Sequence, residues 1–158
     1  MSLRPFKQVD VFTAVPYRGN PLAVVLDGEG LSTAEMQHFT NWTNLSEATF
    51  LLPPTVAGAD YRVRIFCPGR ELPFAGHPTL GSCHAWLEAG GKAMGEHVVQ
   101  ECGIGLVKLR RSEGRPCAAA ARRKRAGPHC GAASPGRCRT PAPRARPWPC
   151  RRLRAMRG

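Results

Sequence analysis

The sequence predicts an α+β fold for residues 1–111, with a mixed sheet and two helices. Three observations support this prediction. Short segments rich in β-branched and aromatic residues alternate polar with apolar side chains, most clearly in YRVRIF at 61–66. A capping-box sequence, STAE at 32–35, marks the start of one helix. A proline before a largely apolar segment and a glycine pair after it delimit a second helix.

The predicted elements follow one another as two strands, a helix, two strands, a second helix and two strands. The turn GNP at 19–21 separates the first two strands. The pair PP at 53–54 ends the third strand, because proline cannot donate a backbone hydrogen bond. The predicted strands are 6–13, 22–26, 48–52, 61–66, 97–101 and 105–109, and the predicted helices are 33–41 and 79–89.

The second predicted helix should lie in the core of the domain. Its apolar residues recur at helical spacing on one face, and we interpret His84 on that face as a core histidine. The face consists of Leu80, Cys83, His84 and Leu87.

Charge and composition divide the chain near residue 111. Residues 1–111 hold ten Lys and Arg against ten Asp and Glu, whereas residues 112–158 hold thirteen against one. Of the 47 residues in the second segment, 34 are Arg, Ala, Pro or Gly. Too few large apolar side chains remain there to offset the entropy lost on ordering the chain. We therefore expect residues 112–158 to form a disordered tail.

Two hypotheses address this basic tail. Codons for Arg, Ala, Pro and Gly can all begin with two G or C bases, so an out-of-frame reading of a GC-rich gene from about residue 115 would produce this composition. Alternatively, the run ARRKRA at 121–126 would attract nucleic acid through its charge. Because Trp148 is the one aromatic residue in the tail, we do not expect nucleic acid as a partner.

The sequence lacks motifs for membrane spans, metals and nucleotide cofactors. No stretch approaches the roughly 18 apolar residues that a membrane span needs. No CxxC or HxxxH spacing suggests a zinc site, and neither GxGxxG nor GxxxxGK[ST] occurs. We expect a soluble, cytoplasmic protein that uses no cofactor or metal and has no membrane partner.

Four sequence blocks in residues 1–111 carry a resemblance to a known family. In their order and spacing they resemble the PhzF-like phenazine-biosynthesis family. The resemblance implies one half of a diaminopimelate-epimerase-like fold, in which a curved mixed sheet surrounds a central helix. For the full-length family it implies two such domains, a catalytic cleft between them and a homodimer. The blocks are VDVFT at 9–13, GNPLAVV at 19–25, NLSEATF at 44–50 and ELPFAGHPTLG at 71–81.

The resemblance implies an isomerase that moves a proton on a small carboxylic acid without a cofactor. Glu47, in the block NLSEATF, matches the family's proton-transferring glutamate. A carboxylate can act in this way only where it is desolvated, with its pKa raised toward neutrality, and faces an acidified C–H bond. Composition alone favours an ordinary glutamate at the start of a strand, and the motif match reverses that preference.

His77 is the second catalytic candidate that the resemblance implies. It stands where a helix begins, and the N–H groups of a helix start bind anions such as a substrate carboxylate. Without the family, a histidine that merely caps the helix fits the sequence equally well. The candidate substrate-binding residues are Asn20, Asn44, Ser46, Gly76 and Pro78.

One departure from the family pattern limits the predicted activity. The family's second domain supplies an aspartate and a Gly-Ser/Thr-Gly loop that face the glutamate, and nothing in residues 112–158 matches either. Because a water-excluding cleft needs both walls, we expect this chain to be weakly active or inactive alone. The alternative is a non-catalytic binding or dimerisation module built on the half-fold.

Overall fold

Eight strands and two helices make up the part of the chain that the computed structural model describes, residues 3–112 and 115–120. The strands form one mixed sheet. They are β1 (Phe6–Val11), β2 (Asn20–Val25), β3 (Ala48–Leu52), β4 (Tyr61–Cys67), β5 (Arg70–Leu72), β6 (His97–Cys102), β7 (Gly105–Ser112) and β8 (Arg115–Ala120). The helices are α1 (Thr33–Thr43) and α2 (Gly76–Glu88).

The strands lie in the order β1-β2-β3-β4-β6-β7-β8, and the short β5 pairs with β4 beside this path. β2 pairs in parallel with β3, and β4 with β6. The remaining pairs are antiparallel. A helix lies in the connection of each parallel pair, α1 in the first and α2 in the second. Connections between parallel strands are long enough to need such an element.

Helix α1 covers one face of the sheet. Its capping box forms as the sequence predicts: the Ser32 hydroxyl accepts from the Glu35 N–H at 3.2 Å, and the Glu35 carboxylate accepts from the Ser32 N–H at 2.8 Å. The helix ends at Asn44, whose left-handed backbone (φ 56°) is a common way to stop a helix. Met36 of α1 is buried in a cluster that includes Phe50 and Phe66 of the sheet.

Helix α2 lies on the other face, at the centre of the fold. It contacts β1, β2, β3, β6 and β8, which include both ends of the strand order. The sheet therefore curves around this helix, as the predicted fold requires. Cys83 and Ala85 of α2 are fully buried in the larger apolar cluster, together with residues such as Leu22, Ile65 and Leu109.

Small and polar side chains set the position of α2 on the sheet. A β-carbon at Gly81 would lie 2.6 Å from Leu22 Cδ2 and 2.9 Å from Val11 Cγ2, so the helix axis approaches β1 and β2 closely. On the β6 side, the Gln100 amide donates to the Thr79 hydroxyl at 3.2 Å, and both side chains are fully buried. These contacts fix α2 along its length.

Two sequence expectations about this fold are wrong. His84 is not a core histidine: its side chain is 45% exposed and its Nε2 lies 3.2 Å from a Glu88 carboxylate oxygen. The buried side of α2 consists instead of small residues, which hydrophobic periodicity does not detect. Strand β5 was not predicted, because three residues are too few to show an alternating pattern.

One described strand lies beyond residue 111, and the domain boundary at that residue stays a prediction. Strand β8 lies inside the segment 112–158 that we expected to be disordered, and its backbone pairs antiparallel with β7. Backbone pairing on a free strand edge does not need the large apolar side chains whose scarcity led to that expectation. The rest of the expected tail, with the basic run 121–126, lies outside the described residues. Neither of the two described helices is long and apolar enough to cross a membrane.

Candidate active site

Glu47 and His77 come together at one edge of the sheet. Glu47 directly precedes β3, and His77 is the second residue of α2. The Glu47 Oε2 atom lies 3.3 Å from the His77 Nε2 atom. The histidine side chain is 10% exposed and the glutamate side chain 19%. The structure thus places the two predicted catalytic residues in contact and largely out of water.

A hydrogen bond between α2 and β3 lies close in the chain to both side chains. Side chains two apart in a strand share a face, so Glu47 points the same way as Thr49 if the strand geometry extends back to it. Thr49 faces α2, because its hydroxyl accepts a hydrogen bond of 2.9 Å from Ser82. Glu47 lies two residues before Thr49, about 6.6 Å along a strand. His77 lies five residues before Ser82, so the hydrogen bond between Ser82 and Thr49 joins the two elements near both side chains.

The environment of the pair keeps the imidazole neutral. Burial lowers the pKa of His77, and the nearby Glu47 carboxylate only partly offsets that effect. At neutral pH, Glu47 therefore faces an uncharged ring. The facing atoms, Glu47 Oε2 and His77 Nε2, are buried, and neither has a hydrogen-bond partner among the described residues. Buried polar atoms are rarely left unpaired, so this pair has unused capacity to bind or exchange a proton.

Two of the candidate substrate-binding residues adjoin this pair. Asn20 is the first residue of β2, and its side-chain oxygen accepts a hydrogen bond of 3.5 Å from the Ser46 hydroxyl. Ser46 immediately precedes Glu47. Asn44, in contrast, forms the C-terminal cap of α1, and its backbone N–H bonds to the Asn41 carbonyl. The structure gives Asn44 a role in ending the helix.

The start of α2 forms the other side of the pair. The cap residue is Ala75, whose side chain makes no capping hydrogen bond, so His77 is not the cap and that alternative is wrong. The N–H groups of Gly76 and His77 therefore have no acceptor within the helix. Gly76 is exposed, and a β-carbon there would meet nothing within 4 Å among the described residues. Pro78 is buried in the first turn, where its missing N–H costs nothing.

Phe12 is a neighbour of the pair that the sequence did not single out. It was expected to continue the first strand, but β1 ends one residue earlier at Val11. The Phe12 ring centroid lies 6.3 Å from that of His77. No local pattern reveals this contact, because it depends on how α2 sits against β1.

A cavity among the described residues lies away from this pair. It has a volume of about 380 Å³, and neither Glu47 nor His77 lines it. Its charged residues pair internally: Arg64 makes two hydrogen bonds to Glu71, and Arg62 lies 3.8 Å from Glu101. In the same part of the chain, no three His, Cys, Asp or Glu side chains form a metal-binding group.

Comparisons with known sequences identify relatives of this α+β domain. The model of the family described as "Phenazine biosynthesis-like protein" matches residues 9–135, more than half of the chain. Antisense-enhancing sequence 1 of Schizosaccharomyces pombe is 53% identical over 110 residues, which are 69% of this chain and 37% of that protein. Trans-2,3-dihydro-3-hydroxyanthranilate isomerase of Pseudomonas fluorescens is 51% identical over 77 residues, 49% of this chain and 27% of that enzyme.

A comparison with solved structures identifies the same family. A phenazine biosynthesis protein of the PhzF family from Bacillus anthracis superposes with a TM-score of 0.64 and 34% identity, over 70% of this chain and 36% of that one. The chain belongs to the PhzF-like phenazine-biosynthesis family, as its four sequence blocks predict. It spans about a third of the length of the relatives that it matches.

Proposed function

We propose that Glu47 and His77 are the proton-transferring residues of a cofactor-independent isomerase that acts on a small carboxylic acid. The observation that carries this proposal is the 3.3 Å approach of a carboxylate and an imidazole from two separate elements, both largely buried. The glutamate removes a proton from an acidified carbon of the substrate and returns it at another position. The neutral His77 assists by accepting or donating a hydrogen bond beside the carboxylate.

The start of α2 supports a carboxylate on the substrate. The N–H groups of Gly76 and His77, which have no acceptor within α2, lie at the helix start, where the helix dipole favours an anion. The open space above Gly76 leaves room for such a group. Asn20 and Ser46 would bind other polar atoms of the substrate. Relatives named trans-2,3-dihydro-3-hydroxyanthranilate isomerase indicate the chemical class, a small cyclic acid.

We further propose that this chain provides one wall of the catalytic cleft. Its relatives are about three times as long as the segment matched, and excluding water from a reacting carbon needs a second wall. Turnover by this chain alone should therefore be slow or absent. A homodimer and a cytoplasmic location, both expected from the sequence, remain predictions.

A chimera tests the proposal. Residues 3–112 of this chain replace the matching segment of the Pseudomonas fluorescens isomerase, and the chimera is given trans-2,3-dihydro-3-hydroxyanthranilate in heavy water. We expect isomerisation, with deuterium entering the product. The Glu47→Gln variant should lose this isomerisation. The Glu29→Gln variant, at an exposed glutamate, should retain it. A folded chimera that binds the acid without exchange would favour the non-catalytic binding module.

A further inference from the structure

Phe12 has an unusual combination of backbone and exposure. Its φ is +72°, a region that side chains other than glycine rarely adopt and that is uncommon for a bulky residue. Its side chain is 67% exposed, so burial in the core does not explain this conformation. Its ring lies against His77, with the two ring planes inclined at 56°. Strained residues of this kind occur preferentially at functional sites.

The segment that follows Phe12 holds it in this place. The Asp10 carboxylate accepts a hydrogen bond of 3.1 Å from the Arg18 N–H, which closes the loop between β1 and β2. Gly19 completes the closure: a β-carbon there would lie 2.2 Å from the Val11 carbonyl oxygen and 2.7 Å from Thr13 Cγ2. The loop is therefore held by contacts on both sides of Phe12.

We propose that Phe12 is a positioning residue for His77: its ring covers the outer side of the imidazole and holds it against Glu47. The proposal rests on the function proposed for that pair. Among the described residues, Glu47 is the charged side chain in contact with His77, and Phe12 is the aromatic side chain that packs against it. An aromatic ring at this distance restricts the rotation of its neighbour and displaces water from it.

Removing the ring should have a measurable effect on the imidazole. Burial lowers the pKa of His77, and the Phe12 ring centroid lies 6.3 Å from that of the imidazole. Without the ring, water reaches the imidazole and its charged form becomes easier to create. The pKa of His77 should then move up toward its ordinary value of 6.5. A leucine at position 12 keeps an apolar side chain beside the imidazole, so the pKa of His77 should stay lowered in that variant.

NMR titration of the full chain tests this inference. The five histidine signals are followed against pH in the wild type, Phe12→Ala and Phe12→Leu, and His77→Gln assigns the signal of interest. We expect an upward shift in Phe12→Ala and little shift in Phe12→Leu. Unchanged dispersion of the backbone amide signals in the variants reports an intact fold.

Two results would overturn the positioning role. One is an unchanged His77 titration in folded Phe12→Ala. The other needs no variant: the absence of any nuclear Overhauser contact between the Phe12 ring and the His77 ring in the wild type. Either result would leave the proposed function standing if Glu47→Gln still abolishes deuterium exchange in the chimera. If Phe12→Ala shifts His77 but Glu47→Gln remains active, the positioning role holds and the function fails.

Discussion

Ser82 on α2 donates a buried hydrogen bond of 2.9 Å to Thr49 on β3. Both side chains are fully buried. The bond joins the helix that carries His77 to the strand that follows Glu47. Dispersion contacts have little directionality, so this bond adds to the Gly81 and Gln100 contacts that hold α2 in place on the sheet. This pair of hydroxyls therefore helps to set the register in which the two candidate catalytic residues meet.

Removing both hydroxyls of this pair should cost less than the sum of removing each one alone. Ser82→Ala leaves Thr49 with a single long contact of 3.4 Å to the Ala23 carbonyl, so we expect a loss of about 1–2 kcal/mol in the free energy of unfolding. In Ser82→Ala with Thr49→Val, no buried hydroxyl remains unpaired, and the loss should be smaller than the sum of the two single changes. Urea unfolding of the four proteins measures this coupling, and strictly additive losses would contradict it.

The lowered pKa of His77 predicts a pH dependence of stability. Below the ordinary value of 6.5, the unfolded chain takes up a proton at this histidine before the folded chain does. The free energy of unfolding should therefore fall as the pH decreases from about 7 to 5. His77→Gln lacks this contribution, so its profile should be flatter over the same range. Parallel profiles in the two proteins would show that burial does not affect His77.

Gly76→Ala should separate substrate binding from folding. A β-carbon at this position meets no described atom within 4 Å, so stability should change little. In the chimera, the added methyl group would occupy the space where we place the substrate carboxylate. We expect affinity to fall by about tenfold or more, equivalent to about 1.4 kcal/mol. Gly95→Ala, at another open glycine, is the matched control and should bind normally. Equal affinities in the two variants would exclude a carboxylate site at the helix start.

Glu101 should contribute to stability above pH 4.5. Burial on its own raises the pKa of Glu101, but hydrogen bonds from Thr55 and the Val56 N–H, aided by Arg62, lower it overall. Glu101→Gln should lose about 1–3 kcal/mol at neutral pH. Because the ionised form is favoured in the folded state, this difference should shrink as the pH falls below the ordinary value of 4.5. A difference that is constant down to pH 3 would contradict the account.

The features that the sequence predicted correctly depend on neighbouring residues. The capping box at Ser32 and Glu35 involves residues three apart, and it forms as expected. The alternation in β4 likewise places Tyr61, Val63 and Ile65 in the core. These patterns are local, so they can be read without knowing how the elements pack.

The features that the sequence did not reveal depend on tertiary packing. The contact of Phe12 with His77 and the bond between Ser82 and Thr49 join residues far apart in the chain. The approach of Glu47 to His77 was expected only through the resemblance to a family, since no spacing rule relates the start of β3 to the start of α2. Composition likewise did not predict β8, which pairs with β7 through its backbone.

The most direct test of the central claim is deuterium incorporation by the chimera that carries Glu47→Gln. Glutamine keeps the size of the side chain but cannot accept a proton, and general acid–base contributions are about a hundred- to ten-thousand-fold. We expect the rate of deuterium entry to fall by at least about a hundredfold while affinity for the acid is retained, because the helix start that holds the carboxylate is unchanged. A Glu47→Gln chimera that exchanges deuterium at the unsubstituted rate would contradict the assignment of Glu47 as the proton-transferring base.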